Sequence, residues 1–462
     1  MAETDLNTVL NTGTLSDALD RFHIPGAAIA VQQGNFRSSV AAGFADVPSG
    51  VEVSDETLFQ IGSITKVFTA TLLCKLSESG EVDLEAPVSR YLPDLRISGE
   101  HVPDEMTIRT LLDYSCGIEG QFFEDFGDSA DALRQYVDAC SGLRLIHPPG
   151  SMRGYNSTSY CIAGRVIEAV TGEPFDDVLA ARLLEPLGIS QYSFYDVNAL
   201  GPEHALGHHW DPESGAFKVD DKLRLPRSMS PAGSSVSLTA EGLLAFASMH
   251  LGDGVAADGR RYLDADTVRM MRTPSRTVPP DDSELLLGWA AMPLGEDRLT
   301  IAAGRTIGQN AFVMLAPQQD FAMSLQANSA MGGEQLFVSV GLEVIESLTG
   351  CRLEMPSPSA APGGDEGFDI DARRYIGTYA NPAKIKIQED EGGLKLVSEY
   401  KDNSTESTVS YASTMHPTGH HNFTLVLDGT DQVIGSATFL FEDPGRDQAS
   451  HVYTSRCLFG RI

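Results

Sequence analysis

The segment FQIGSITKVFTA, residues 59–70, places Ser63 three residues before Lys66 at the start of a helix-forming run. Residues three apart lie on the same face of a helix, so the lysine ammonium can reach the serine hydroxyl. Gly62 allows a tight turn that places Ser63 near a helix N-terminus, where backbone N–H groups face incoming negative charge. A desolvated lysine can act as the base that activates a serine nucleophile. Because this spacing also occurs by chance, a helix N-cap followed by a solvated lysine is the competing interpretation.

The composition is that of an acidic globular protein large enough for two domains. The chain has 462 residues, of which 42% are hydrophobic and 21% are charged, and its formal net charge is −31. This charge disfavours nucleic acid and anionic membranes as partners, because both require basic patches. The N-terminal residues lack the basic and apolar regions of a secretory signal, and no apolar run is as long as a membrane span. We therefore expect a cytoplasmic protein without a membrane partner.

The residue types that bind metals form no recognisable site in the sequence. The six cysteines are scattered, which favours free thiols over a metal cluster or disulfides. Adjacent histidines face apart, so the pairs His208-His209 and His420-His421 do not indicate a metal site. His147 precedes two prolines and is interpreted as structural. The sequence predicts neither a metal nor a cofactor.

Strand-like segments stand on both sides of a long helical region. A predicted hairpin comes first, formed by Ala27–Gln32 and Ser38–Phe44. Helical segments then dominate until Leu285. The predicted strands after this point are Leu287–Ala291, Leu299–Ala303, Ala311–Leu315 and Phe321–Gln326, and a closing helix spans Gly333–Leu348. This order is typical of an α/β (α+β) fold in which helices cover a sheet.

A composition change near residue 355 predicts a domain boundary. Residues Met355–Phe368 (MPSPSAAPGGDEGF) are rich in Pro, Ser, Ala and Gly, as in a linker. The predicted domains are therefore residues 1–354 and 369–462. Short strands are predicted in the second domain at Tyr375–Tyr379, Lys384–Gln388, Gly393–Val397, Asn422–Leu427, Ser436–Phe441 and Val452–Leu458. This pattern favours a small antiparallel barrel or sandwich.

Residues 14–349 resemble the serine β-lactamase and penicillin-binding-protein superfamily, in its class C and D-aminopeptidase-like branch. The matching segments are Gly62-Ser63-Ile64-Thr65-Lys66, Thr107-Ile108-Arg109 with Leu111-Leu112 and Gly117, His147-Pro148-Pro149-Gly150, Tyr155-Asn156-Ser157, Gly164, Ile167-Glu168, Thr171-Gly172, Pro231-Ala232-Gly233 and Thr306-Ile307-Gly308. The resemblance implies a β-lactamase-like antiparallel sheet flanked by helices, with an all-helical insertion. The C-terminal segment resembles the lipocalin-like barrel appended to some members, mainly at Tyr375–Tyr379.

The resemblance also implies roles for the motif residues. Ser63 would form a covalent acyl-enzyme, and Tyr155 would carry the proton between Ser63 and the leaving group. Lys66 would act as the base or keep Tyr155 partly ionised, and such a pair titrates as a unit. Gly304 would let the backbone approach the acyl group. The supporting residues are thus Ser157, Gly304 and Arg305. The Arg305 N–H group would complete an oxyanion hole with that of Ser63, while Gly233 and Ser234 would line the acyl pocket.

Two positions depart from the family pattern. The usual Tyr-x-Asn motif is replaced by Tyr155-Asn156-Ser157, so Ser157 can still position Lys66 but lacks an amide's second donor. Asn156 could substitute if the loop were shifted by one residue. The Lys, His or Trp that normally stands two residues before the strand glycine is replaced by Ala302. The cationic or aromatic side chain that helps to bind a substrate carboxylate is therefore missing, which disfavours a β-lactamase or a cell-wall carboxypeptidase.

Several acyl-enzyme activities remain open. The substrate is expected to be a small-molecule or peptide ester, amide or thioester, and the enzyme an esterase, a D-amino-acid amidase or aminopeptidase, or an acyltransferase. Similarity to penicillin-binding-protein-type thioesterases, which release or cyclise nonribosomal peptides, would add a biosynthetic carrier protein as a partner. Arg446 and Arg456 are candidates for contact with a substrate carboxylate. A non-catalytic binding module is the alternative, but Ser63, Lys66 and Tyr155 occurring together argue against it.

Overall fold

The protein combines a helix-covered antiparallel sheet with a closed β-barrel. The computed structural model describes residues 10–194, 201, 203–279, 283–353, 371–381, 383–390, 393–401, 408–418, 421–429, 433–441, 448–454 and 456–462. The α-helices of these residues are α1 (Thr12–Phe22), α2 (Thr65–Glu78), α3 (Ile108–Leu112), α4 (Ala132–Ala139), α5 (Thr158–Thr171), α6 (Phe175–Leu179), α7 (Ala240–Leu251), α8 (Ala265–Arg272), α9 (Ala330–Leu336) and α10 (Leu342–Thr349). None of the described helices has the length and apolar character needed to cross a membrane.

The first part of the chain contains short strands and one large sheet. Its strands are β1 (Gly26–Gln33), β2 (Phe36–Asp46), β3 (Val51–Glu52), β4 (Phe59–Gln60), β5 (Arg96–Ile97), β6 (Glu100–His101), β7 (Tyr192–Phe194), β8 (His208–Asp211), β9 (Ala216–Val219), β10 (Val236–Leu238), β11 (Thr277–Val278), β12 (Ser283–Glu284), β13 (Ala290–Leu294), β14 (Asp297–Thr306), β15 (Gln309–Ala316) and β16 (Phe321–Ala327). The large sheet has seven antiparallel strands in the order β13-β14-β15-β16-β1-β2-β3. The predicted hairpin and helix-covered sheet are confirmed.

Helices cover both faces of this sheet. Alternate residues of β15 lie in two separate cores, so the strand is buried along its whole length. One core contains α2, α5 and α7 and includes Val313, whereas the other contains α1 and α10 and includes Phe312. Helix α2 is buried continuously from Thr65 to Cys74, so it lies within the first core and not at the protein surface. The sheet and this core therefore hold the start of α2 in a fixed place.

Two predicted elements of this region have different bounds in the structure. The predicted strand Leu287–Ala291 was wrong over its first part, because β13 begins only at Ala290. The Leu287 and Gly288 N–H groups donate to carbonyls in the helical region, and Trp289 is buried beside α7. The predicted closing helix is divided into α9 and α10 by a π-helical turn at Phe337–Gly341.

The C-terminal part of the chain forms a closed eight-stranded antiparallel barrel, as the fold class predicts. Its strands are β17 (Gly377–Asn381), β18 (Ala383–Asp390), β19 (Gly393–Lys401), β20 (Thr408–Pro417), β21 (Asn422–Leu427), β22 (Val433–Leu440), β23 (His451–Thr454) and β24 (Cys457–Arg461). Its interior is packed with aromatic side chains, among them Tyr375, Phe423 and Phe439. Barrel closure pairs every strand on both edges.

Strand prediction in the barrel was incomplete. Strand β20 was missed, and the single predicted strand Val452–Leu458 is in fact the hairpin formed by β23 and β24. Arg456 has a φ of +65° at the turn of this hairpin, a conformation that the sequence does not suggest because it is uncommon outside glycine. The predicted linker Met355–Phe368 lies outside the described residues, and the domain boundaries stay predictions.

Candidate active site

Ser63 lies where three segments of the chain meet. It occupies the 3₁₀ turn Gly62–Ile64 that leads into α2. A Cβ atom at position 304 on β14 would overlap the Ile61 carbonyl oxygen and lie 2.9 Å from the Ser63 nitrogen. One at position 233 would lie 2.7 Å from the same nitrogen. Glycine at both positions is therefore required for strand β14 and the residue 230–235 turn to pack against the serine.

Lys66 and Tyr155 converge on the Ser63 hydroxyl. Lys66 Nζ donates a hydrogen bond to Ser63 Oγ at 3.0 Å, and Tyr155 OH donates to the same oxygen at 2.6 Å. Lys66 Nζ also lies 4.8 Å from the centre of the Tyr155 ring. Ser63 and Tyr155 are half-buried, whereas Lys66 is 1% exposed. This is the geometry of an accessible hydroxyl with two proton-carrying groups beside it.

The second partner of Lys66 is a backbone oxygen. Lys66 Nζ donates to the Ala232 carbonyl at 2.7 Å, and no ion pair joins it to a carboxylate among the described residues. The turn that carries Ala232 is held by hydrogen bonds among Ser230, Ser235 and the buried carboxyl group of Asp176. Burial raises the pKa of Asp176. The turn thus holds the Lys66 amine through the Ala232 carbonyl, and the amine keeps its other hydrogen bond to Ser63 Oγ.

Tyr155 differs from the two tyrosines that pack beside it. Tyr114 lies 5.4 Å from Tyr155 between ring centres, and Tyr160 lies 5.4 Å from Tyr114. Burial raises the pKa of both neighbours above the ordinary tyrosine value. Tyr160 OH is also committed to the Leu112 carbonyl at 2.6 Å. Of these three phenols, Tyr155 is the one whose hydroxyl contacts Ser63.

Asn156 and Ser157 take structural positions in the tyrosine loop. Asn156 Nδ2 donates to the Ile118 carbonyl at 2.6 Å, and its Oδ1 accepts from the Ser159 N–H at 2.7 Å. Asn156 is 4% exposed, so its amide is occupied inside the protein and not available to a substrate. Ser157 is equally buried, and no hydrogen bond between Ser157 and Lys66 occurs in the described part of the chain. The Ala232 carbonyl therefore makes the contact with Lys66 that was predicted for the Ser157 side chain.

The end of β14 presents an open backbone edge to Ser63. Strand β13 pairs with β14 only as far as Ile301, which leaves residues 302–306 free to pack against the nucleophile turn. Ala302 is buried in the helical core and adds no polar group to the cleft. The side chain of Arg305 forms an ion pair with Glu334, while its backbone nitrogen lies beside the Gly62 turn. The Ser63 and Arg305 nitrogens both lie at this junction.

Several other residues that the sequence singled out are buried. Ser234 is 1% exposed and its hydroxyl is buried, so it supports the turn and does not line an open pocket. His147 and His208 are buried with protein hydrogen-bond partners. No group of three potential metal ligands exists in the described ranges. Arg446 and His420 lie outside the described residues.

Two arginines near Tyr155 have no acidic partner among the residues that the structure describes. The Arg153 guanidinium lies 5.2 Å from the centre of the Tyr114 ring, and its Nε is buried without a hydrogen bond. The side chain of Arg456 is exposed, and its carbonyl accepts the Tyr155 N–H at 2.8 Å. Both positive charges lower the pKa of Tyr114, partly offsetting its burial. Arg153 was not predicted, since an isolated arginine in a loop gives no signal in the sequence.

Comparisons with known proteins identify the family of the chain. The family described as Beta-lactamase matches residues 12–336. Penicillin-binding protein 4 of Amycolatopsis lactamdurans is 34% identical over 371 residues, covering 77% of this chain and 93% of that protein. The crystal structure of D-amino acid amidase from Ochrobactrum anthropi SV3 complexed with L-phenylalanine amide has a TM-score of 0.61 at 25% identity, covering 74% of this chain and 99% of that chain.

The similarity to solved structures extends over both parts of the protein. The crystal structure of SurE with D-Leu has a TM-score of 0.78 at 23% identity and covers 100% of each chain, so the likeness of fold includes the barrel. The family match covers the sheet, the nucleophile turn and the tyrosine loop. The chain therefore belongs to the beta-lactamase family.

Proposed function

We propose that the protein is a serine acyl hydrolase or acyltransferase that forms an acyl-enzyme on Ser63. The observation that carries the proposal is the convergence of Lys66 Nζ and Tyr155 OH on Ser63 Oγ, at 3.0 and 2.6 Å. Ser63 remains half-exposed, so a substrate carbonyl can reach the hydroxyl oxygen. An ester, an amide or a thioester can all react through this intermediate.

In the acylation step, Ser63 Oγ forms a bond to the substrate carbonyl carbon. In this step one member of the Lys66–Tyr155 pair is deprotonated and accepts the Ser63 proton, and Tyr155 delivers a proton to the leaving group as the bond to that group breaks. The N–H groups of Ser63 and Arg305 would stabilise the negative oxygen of the tetrahedral intermediate. In the second step, Tyr155 takes a proton from water, an amine or an alcohol, and the proton returns to Ser63 as the acyl group departs. Water gives hydrolysis, whereas an amine or an alcohol gives transfer or cyclisation.

We further propose that the substrate carries a D-amino-acid residue and a free carboxylate. The similarity to the D-amino acid amidase supports an amide substrate of this class. Arg456 would supply the positive charge that Ala302 lacks. Its side chain is exposed on the hairpin that contacts Tyr155, and it has no acidic partner within the described ranges. A guanidinium group binds a carboxylate through two parallel hydrogen bonds. Transfer from a carrier-bound thioester would use the same acyl-enzyme.

Trapping of the acyl-enzyme tests the general proposal. The intact protein is mixed with p-nitrophenyl butyrate, the reaction is stopped with acid, and the peptides are analysed by mass spectrometry. We expect a burst of p-nitrophenolate and a butyrylated peptide whose modified residue is Ser63. Treatment with a β-lactone and with a fluorophosphonate provides two independent probes. The absence of an adduct with all three reagents would refute the assignment of Ser63 as nucleophile.

Replacement of Arg456 tests the substrate carboxylate. Arg456→Asn removes the guanidinium, while asparagine tolerates the positive φ of +65° and the backbone carbonyl is kept. We expect the KM of a D-residue ester with a free carboxylate on its leaving group to rise about 10-fold to 100-fold. The KM of the matched substrate with a neutral amide should stay unchanged. Steady-state kinetics with both substrates measure this difference.

Arg373→Asn is the matched control for this experiment. Arg373 is an exposed arginine of the same barrel, and it pairs with Asp371 at 2.9 Å. Its replacement should leave both KM values unchanged. Equal increases for the two substrates in Arg456→Asn would contradict carboxylate binding and indicate that the side chain only supports the hairpin.

A further inference from the structure

One buried amide of the barrel connects to the loop that carries Tyr155. Asn381 lies at the end of β17 and is 2% exposed. Its Oδ1 accepts a hydrogen bond from the Gly120 N–H, and its Nδ2 donates to the Leu458 carbonyl at 2.6 Å. Gly120 belongs to the sheet-containing part of the chain, and Leu458 belongs to β24 of the barrel. The Asn381 side chain thus joins two segments that are far apart in sequence.

On the barrel side, the Asn381 side chain bonds to β24 just beyond the point where backbone pairing between β17 and β24 ends. Strands β17 and β24 pair at Tyr379 with Arg461 and at Ala380 with Gly460. Leu458 lies two residues before Gly460 on β24, and its carbonyl accepts a hydrogen bond from the Asn381 amide. Strand β24 therefore diverges from β17 at the point where its N-terminal end approaches Tyr155.

Both sides of Tyr155 are linked to this bridge through backbone hydrogen bonds. The hairpin residue Arg456 accepts the Tyr155 N–H at 2.8 Å, while the Gly120 carbonyl accepts the Ser157 and Thr158 N–H groups at 2.9 and 3.2 Å. Leu458 also packs directly against the backbone of Gly154. The Asn381 amide is therefore linked to both sides of Tyr155. Leu458 of β24 connects it to the segment before Tyr155, and Gly120 connects it to the segment after Tyr155.

We propose that Asn381 is a positioning residue that holds the Tyr155 hydroxyl against Ser63, an inference that rests on the proposed acyl-enzyme function. Tyr155 OH is at the end of a long side chain, so a small rotation of its loop would break the 2.6 Å contact with Ser63 Oγ. Misplacement of a reacting group by about 1 Å can cost about 100-fold in rate. The barrel would then be part of the catalytic apparatus, since it fixes the backbone from which Tyr155 extends.

The first test compares two leucine variants of the full-length protein. Asn381→Leu keeps the side-chain size and removes both hydrogen bonds. We expect the acylation rate in the p-nitrophenyl butyrate burst to fall about 10-fold to 100-fold, with little change in KM. Asn422→Leu is the matched control, because Asn422 is an exposed asparagine of the same barrel whose side chain accepts a hydrogen bond from Thr438 and from no other described residue. Its burst rate should equal that of the parent.

The second test uses pH to restore the missing donor. Asn381→Asp keeps the acceptor for Gly120, and its protonated carboxyl can donate to the Leu458 carbonyl in place of the amide. Burial raises the pKa of a carboxyl group, so the protonated form is populated at mildly acidic pH. The ratio of the variant's burst rate to the parent's should therefore rise as the pH falls. A residue with a purely structural role would change the burst amplitude with pH, through the fraction of folded protein, and leave the ratio of the burst rate constants unchanged.

The outcomes separate this inference from the proposed function. The absence of a burst in the parent protein would refute the proposed function. A parent burst that Asn381→Leu reproduces at the same rate would overturn the inference alone. If Asn381→Leu does not fold, the Asn381→Asp ratio decides: an increase at low pH supports the positioning role, and a constant ratio overturns it.

Discussion

Ser63→Ala is expected to abolish the burst with p-nitrophenyl butyrate and to lower turnover by at least about 10⁴-fold. Lys66 and Tyr155 both direct their hydrogen bonds to the oxygen that this substitution removes. Cys161 and Cys457 both feel the charge of Lys66, but burial raises the pKa of each thiol to about 12, so their reactive thiolate forms are scarce near neutral pH. These two thiols are therefore not expected to take over the covalent step.

Ser77→Ala provides the control for this loss. Ser77 lies on the same helix α2, is half-buried and forms no side-chain hydrogen bond to the described residues. Stopped-flow measurement of p-nitrophenolate should give the parent burst for Ser77→Ala and no burst for Ser63→Ala. Circular dichroism should show the same folded structure for both variants. A burst of normal amplitude in Ser63→Ala would place the nucleophile elsewhere.

The sequence predicted the parts of the site that depend on local geometry. The i, i+3 spacing of Ser63 and Lys66 is sufficient to place both side chains on one face of a helical turn, and the structure has them 3.0 Å apart. Gly304 was predicted from the strand motif, and its close approach to the Ser63 turn follows from the missing side chain. The absence of a cationic side chain at Ala302 could also be predicted, because it follows from the residue type alone and not from the direction of a side chain.

Side-chain direction and tertiary contacts could not be predicted in the same way. Asn156 and Ser157 stand beside Tyr155 in the sequence, yet the loop turns their side chains into the protein. The lysine partner was predicted to be Ser157, but it is the carbonyl of Ala232, and a backbone oxygen has no signature in a sequence motif. Which neighbour faces the cleft depends on how α5 and the residue 230–235 turn pack, and only the folded chain determines this.

The role of the barrel was hidden for a related reason. Residues 452–458 (VYTSRCL) contain no glycine, asparagine or proline to mark a turn, so the β23–β24 hairpin could not be recognised. The barrel interior is filled by aromatic side chains. Its contacts near the site are made at its edge, where Arg456 of the hairpin accepts the Tyr155 N–H and Asn381 bonds to Gly120.

Lys66→Met is expected to lower the acylation rate by about 10²-fold to 10⁴-fold without destabilising the protein. The side chain is 1% exposed and its amine has hydrogen bonds to Ser63 Oγ and to the Ala232 carbonyl, but no carboxylate partner in the described part of the chain. Loss of the donor to Ala232 costs about 1–3 kcal/mol. Removal of a polar amine buried without an acidic partner offsets this by a similar amount, so the free energy of unfolding should change little or rise.

Lys75→Met makes the same substitution on the same helix and should give the opposite result. Lys75 lies on the outer part of α2, where it bonds to the Tyr262 carbonyl at 2.6 Å and pairs with Glu78 at 3.3 Å. Its loss should lower the free energy of unfolding by about 1 kcal/mol and leave the burst unchanged. Urea denaturation and burst kinetics on both variants measure the two effects. A stable Lys66→Met with normal acylation would contradict the role of Lys66 as base, whereas its inactivity at full stability would show that this buried amine is retained for chemistry and not for folding.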